Sequence, residues 1–196
     1  MVEHPPCKRK VVSSILTGGS RYSLDMSRLI ALLCSGLLLV GCASSNEDSL
    51  SQYSKADINF AEMMIPHHEQ ALEMVALAQT NTTNPDILAL AEQIRGAQEP
   101  EIVLMKSWPG VDASTHMGHT MSGMLSESEI EKLAVAKGAE FDRLFLEGMI
   151  KHHEGAIEMA KEVVDSKNQS VMKLAEWIVT VQALEIDTMK ELLSKK

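Results

Sequence analysis

The sequence predicts an all-α protein: two similar helical hairpins that pair into an antiparallel four-helix bundle, with one short extra helix between them. Three observations lead there. The stretch MIPHHEQALEM at residues 64–74 returns as MIKHHEGAIEM at residues 149–159. The segments around both copies are dominated by Ala, Leu, Met, Glu, Gln and Lys, which favour helix, and none alternates like a strand. The similarity also continues into a second segment after each copy. Each half therefore carries two helices with an apolar stripe to bury, and two such hairpins pair most simply as a bundle.

The first 41 residues read as a leader and lipoprotein signal peptide rather than as part of the fold. MSRLIALLCSGLLLVGC, Met26–Cys42, has one basic residue and an apolar run from Leu29 to Val40. That run is too short for a bilayer core, which needs about 20 residues, and it has the form of an export signal. Met26 sits where such a signal would start. Leu39, Val40, Gly41 and Cys42 resemble a lipobox, which makes Cys42 the lipidation site and lipid-anchored attachment to a membrane the expectation. Cys7 and Cys34 would be lost with the leader, leaving neither a disulfide framework nor a thiolate metal site.

Residues 42–53 are polar and read as a tether, and residues 54–196 as one domain of ordinary size. The net charge of -9 becomes more negative once Lys8, Arg9, Lys10, Arg21 and Arg28 are removed against only Glu3 and Asp25. Such a surface repels nucleic acid and attracts cations.

Repeat 1 covers about residues 54–107. Ser54 with Asp57 forms a capping pattern that opens its first helix, and Asn84 followed by Pro85 opens its second. Pro100 is expected to kink or divide that second helix. A His- and Met-rich loop spans about residues 108–125. Ser126 with Glu129 then opens a short helix that breaks near Gly138. Repeat 2 covers about residues 139–194, with helices from about Ala139 to Asp165 and from about Ser170 to Leu193. Asp57, Phe60, Glu62 and Met64 pair with Asp142, Phe145, Glu147 and Met149, and Leu90, Gln98, Glu101 and Met105 with Leu174, Gln182, Glu185 and Met189.

At ~100° per residue, His67 lies within ~20° of Phe60, at the centre of the apolar stripe with Met64, Ala71 and Met74. His68 falls at its edge, and Glu69 and Glu73 point to solvent. Counted from Phe145, His152 is likewise central, with Met149, Ala156 and Met159, and His153 is at the edge. Buried histidines commonly serve packing, satisfied by one hydrogen bond. Two copies flanked by methionines would instead gather imidazoles and thioethers in a bundle core, and that donor set selects soft or borderline metals, copper above all. The candidate ligands are Met64, His67, His68, Met149, His152 and His153.

The loop STHMGHTMSGM, Ser114–Met124, adds His116, Met117, His119, Met121 and Met124. Methionine in a loop exposes apolar, oxidisable surface, so its repeated use beside histidine suggests a soft-metal ligand set. Without cysteine, His and Met suit Cu(I) or Cu(II) better than zinc. The competing reading is that this loop packs across a bundle end.

Asp142, Phe145, Met149, Ile150, His152, His153, Ala156, Met159 and Ala160, with Asp57, Phe60, Met64, Ile65, His67, His68, Ala71 and Met74 in the first half, resemble the ferritin-like family described as domain of unknown function 305. The resemblance spans roughly Ser54 to Leu193. It implies a duplicated, ferritin-like helical bundle in exported bacterial proteins, some linked to copper binding and copper tolerance outside the cytoplasm. It implies His and Met ligation at Met64, His67, His68, Met149, His152 and His153, and more loosely in the loop. Pro66 and Pro100 have no proline counterparts in the second half.

Three functions compete. The first is an envelope-anchored copper-binding protein that sequesters or transfers copper, with no catalytic residue. A homodimer and a copper-transfer partner both stay open. The second is a ferritin-like di-metal oxidase, weakened because the Glu-x-x-His motif is missing and neither stripe bearing the histidines supplies the several carboxylates that iron wants. The third is a structural or partner-binding bundle in which the histidines only pack.

Overall fold

The computed structural model describes residues 52–195 apart from Met117, His119 and Thr120. The leader, Cys42 and most of the tether, with their assigned signal and lipidation roles, lie outside the described residues. Five helices occur among the described residues, and no strand. They are α1 (Lys55–Asn81), α2 (Pro85–Lys106), α3 (Glu127–Val135), α4 (Gly138–Lys161) and α5 (Gln169–Ser194). None is long and apolar enough to cross a membrane.

The start signals act as the sequence implies. Ser54 and Asp57 close a reciprocal capping box on α1, and Ser126 and Glu129 do the same on α3. Asn84 caps α2 with Pro85 in its first turn. Gly138 takes a positive φ of 58° at the break between α3 and α4. Helix α4 ends at Lys161 and gives way to turns, somewhat before Asp165. Pro100 leaves α2 undivided. Its missing N–H deprives the Gly96 carbonyl of a helix donor, but Pro100 and Gly96 both occupy exposed positions where solvent can compensate.

Helices α1 and α2 form one hairpin, α4 and α5 the other, and α1 packs on α4. The two apolar clusters show that α1 and α4 run antiparallel. Phe60, Ala61, Met64 and Ile65 from the start of α1 meet Ala156, Met159 and Ala160 from the end of α4. Ala71, Met74, Val75 and Ala78 meet Phe141, Phe145, Leu146 and Met149. Ile102 and Met105 of α2 join the first cluster, and Ile87, Leu90 and Ile94 the second. One apolar cluster thus fills each end of the bundle, and the paired histidines fall between them.

The segment between the halves does not sit across a bundle end. It runs lengthwise along α1 and α4. Trp108 stacks on Tyr53 with ring centroids 5.3 Å apart, and the Asp112 amide donates to Glu62 Oε1 at 2.9 Å. Gln70 Nε2 donates to the Leu125 carbonyl at 2.9 Å while the Leu125 amide donates to Gln70 Oε1 at 2.8 Å. Asn81 Nδ2 donates to the Leu133 and Ala134 carbonyls at 3.2 and 2.9 Å, which fastens α3 to the end of α1. These partners are 50 or more residues apart in sequence.

Candidate metal centre

His67 and His152 occupy matching positions on α1 and α4, and antiparallel packing brings their rings into contact, tilted by 39°, with centroids 3.8 Å apart. His68 and His153 flank them, each about one ring further out, at centroid separations of 6.4 and 6.3 Å from their chain neighbours. All four are fully buried. His68 and His153 keep the stripe-edge positions that periodicity gives them, yet both are buried. A single helix does have an edge there, but the second helix of each hairpin covers it.

That second helix also supplies the partner. His68 Nε2 donates to Glu101 Oε2 of α2 at 2.7 Å, and His153 Nε2 donates to Glu185 Oε2 of α5 at 2.8 Å. Glu185 Oε1 in turn accepts from Gln93 at 3.2 Å. Both carboxylates are buried, as are Gln98 and Gln182 one turn away. The carboxylates missing from the histidine-bearing stripes thus come from the other helices. Their repeat pairing was visible in the sequence, but nothing local tied them to the histidines.

The central rings bond to main chain. His67 Nε2 donates to the Ser122 carbonyl at 3.1 Å, and His152 Nε2 donates to the His67 carbonyl at 2.9 Å. A carbonyl can only accept, so Nε2 carries the proton in both. In all four histidines Nδ1 is buried without a hydrogen-bond partner. Burial pushes the His67 ring down to about 3, reinforced by the charge of nearby His68, and burial followed by His67 and His153 pushes His152 well below its usual value. At neutral pH both central rings are uncharged, with a lone pair on Nδ1.

The Ser122 carbonyl is held where His67 needs it by close backbone contact. Gly123 has φ +80°, and a Cβ there would stand 2.5 Å from the Lys151 carbonyl oxygen. A Cβ on Gly155 would stand 2.0 Å from the Ser122 carbonyl oxygen. Only glycine on both sides allows the chain to lie this close to α4. Ser122 Oγ also donates to Glu158 Oε2 at 2.7 Å.

The remaining candidates separate. Met64 and Met149 are buried but belong to opposite apolar clusters, one on each side of the histidine layer. His116 and Met121 line a surface pocket with Met63 and Met159. Met117 and His119 lie outside the described residues. Glu69 and Glu154 are exposed, as their angular positions require. Among the described residues no three His, Cys, Asp or Glu side chains converge as a metal-binding group.

This arrangement can accept a metal of low coordination number. Each ligating imidazole would have its other nitrogen held by a carboxylate or carbonyl, as outer partners of metal-bound histidine characteristically do. Two rings bound to one ion through bonds of about 2.0 Å have centroids roughly 6 Å apart, matching the spacing within His67/His68 and within His152/His153.

The sequence model of the family described as Domain of unknown function (DUF305) matches residues 57–193. A DUF305 protein from Streptomyces coelicolor, inferred to be secreted, is 32% identical, with a TM-score of 0.65 over 71% of this chain and 93% of that one. CopM in its Cu(II)-bound form is 34% identical, with a TM-score of 0.62 over 71% and 96%. CopM in its Cu(I)-bound form is 32% identical, with a TM-score of 0.60 over the same shares. No curated protein is close enough to count as a match.

Proposed function

Because the chain belongs to the DUF305 family and shares its fold with a protein solved with copper bound, we propose that it is a copper-binding protein of the cell envelope, which sequesters the ion or passes it on. The observation that carries this reading is the set of four buried Nδ1 atoms without partners, each on a ring whose Nε2 is already anchored. A packing histidine has no reason to leave a buried nitrogen unsatisfied, since that costs about 1–3 kcal/mol. Four such atoms in one layer amount to a preformed donor set.

The ion favoured is Cu(I), bound twice per chain, once between His67 and His68 and once between His152 and His153. Cu(I) accepts two nitrogen donors in line, whereas Cu(II) prefers four or more, and a single charge is easier to bury than a double one. Met64 and Met149 border the layer from either end. The function needs ligand exchange only, so no catalytic residue is assigned. Export and lipid anchoring at Cys42 complete the reading and rest on the lipobox.

Titration of the purified protein with Cu(I), under ascorbate and against a competing chelator, tests this. Two tight equivalents with nitrogen neighbours in X-ray absorption are expected, and His68→Ala or His153→Ala should each remove one. Unchanged uptake in the double variant would remove the histidine layer as the copper site.

A further inference from the structure

The strongest feature left over is the surface pocket of about 460 Å³ to which α1, α4 and the loop each contribute a methionine: Met63 from α1, Met121 from the loop and Met159 from α4. His116 and the carboxylates of Glu158 and Glu162 complete its lining. Met63 and Met121 are only partly buried, and both pack against the apolar cluster around Phe60 and Trp108. The sequence assigned His116 and Met121 to one loop. It does not show that two helical methionines far apart in the chain face them across a cavity.

We propose that this pocket is a second metal site, separate from the histidine layer, which takes a soft monovalent ion, Cu(I) or Ag(I), through thioether sulfur. Three arguments support it. Thioethers are weak ligands for hard or divalent ions and good ones for Cu(I) and Ag(I), so three of them with one imidazole define a narrow class of occupant. Methionine at a wet, open pocket exposes apolar surface and a sulfur prone to oxidation, and leucine would fill the same space without that liability. Two carboxylates and no lysine or arginine line the pocket, so its field attracts a cation.

Its position gives the site a use within the copper-binding reading, on which that use rests. Met63 lies one helical turn before His67 on α1, a spacing that places the two side chains on one face. Ser122 lines the pocket with its side chain against Glu158, while its carbonyl accepts the His67 proton. One residue therefore forms the partition between the open sulfur pocket and the buried imidazoles. Passage of Cu(I) from one to the other exchanges sulfur for nitrogen donors without change of oxidation state. No proton need be released, because Nδ1 of the neutral His67 ring carries none.

Titration of the full chain with Cu(I), followed by X-ray absorption, separates the two sites. The structure leads us to expect one further, weaker equivalent with sulfur neighbours, beyond those held by nitrogen. The variant Met63→Leu/Met121→Leu/Met159→Leu should lose the sulfur-ligated equivalent and keep the nitrogen-ligated ones. His68→Ala/His153→Ala should do the reverse, so failure of the histidine reading would show in that second variant alone. Methyl NMR of the unaltered protein labelled at methionine provides a measure that does not depend on a variant folding. Substoichiometric Ag(I) should shift the methyl signals of Met63, Met121 and Met159 together. Retention of sulfur neighbours in the triple variant, or Ag(I) leaving those three signals in place, would overturn the proposal.

Discussion

The His67 and His152 rings touch at a tilt of 39° with centroids 3.8 Å apart, and the His152 Nε2–H donates to the His67 main-chain carbonyl at 2.9 Å. One half of the duplicated chain thereby fixes the tautomer of the other. The buried contact also disfavours charge, because a proton on either ring would sit out of water beside a second imidazole.

Acid should therefore unfold the metal-free protein. The His67 value falls from 6.5 to about 3 on folding, and that of His152 falls well below 6.5. Below pH 6.5 the unfolded chain takes up protons that the folded chain refuses, so the stability is complete above that pH and is lost as pH falls toward 3. The titratable groups that act on the pair are His68 and His153, which in turn bond to Glu101 and Glu185. Urea unfolding between pH 7.5 and 4 should lose up to ~1.4 kcal/mol per pH unit for each of the two rings. His67→Gln/His152→Gln should flatten that profile, and a flat profile in the unaltered protein would contradict the assigned neutral rings.

Outer carboxylates should set copper affinity without touching the ion. Glu101→Gln and Glu185→Gln keep the shape and an accepting oxygen for His68 and His153 but remove the negative charge that makes the ring a better donor. Each is expected to weaken one Cu(I) equivalent about 10–100-fold, the usual cost of losing such a partner. Competition with a chelator measures it. Equal affinity in both variants and the parent would mean that the carboxylates serve packing alone.

Two glycines of similar helical setting should respond in opposite directions. Gly155→Ala places a Cβ against the Ser122 main chain, which must lift and release the His67 proton it accepts. A loss of about 2–4 kcal/mol is expected from overpacking and a stranded buried donor. Gly96→Ala meets nothing within 4 Å and should gain about 0.5–1 kcal/mol through helix propensity. Thermal melts of the two variants decide the matter.

Copper should also hold the fold together. An ion bound only by the folded chain adds about 2.7 kcal/mol at a hundredfold excess over its dissociation constant. A rise in melting temperature with Cu(I) is expected in the parent protein and should vanish in His68→Ala/His153→Ala. A rise that persists in that variant at low Cu(I) would point away from the histidine layer.

Much of the fold was legible in the sequence. The capping pairs Ser54/Asp57 and Ser126/Glu129, the Asn84–Pro85 start and the break at Gly138 all act within a few residues of themselves. The central placement of His67 and His152 also followed, since a helical period of 3.6 residues assigns every side chain to a face. Pro100 does not divide α2, because its cost depends on whether the carbonyl it strands is buried or wet, and that is a property of the whole bundle. The burial of His68 and His153 was missed for the same reason.

The sequence by itself thus determined the helices, their duplication and the face on which each histidine lies, because hydrogen bonding within a helix and its periodicity are local. Only the tertiary structure decided what those faces meet. Glu101 reaches His68 across 33 residues and Ser122 reaches His67 across 55. Met63, Met121 and Met159 meet only because α1, the loop and α4 pack side by side. Such contacts depend on how helices dock and on where glycine lets two backbones approach, and periodicity along a single helix carries no record of either.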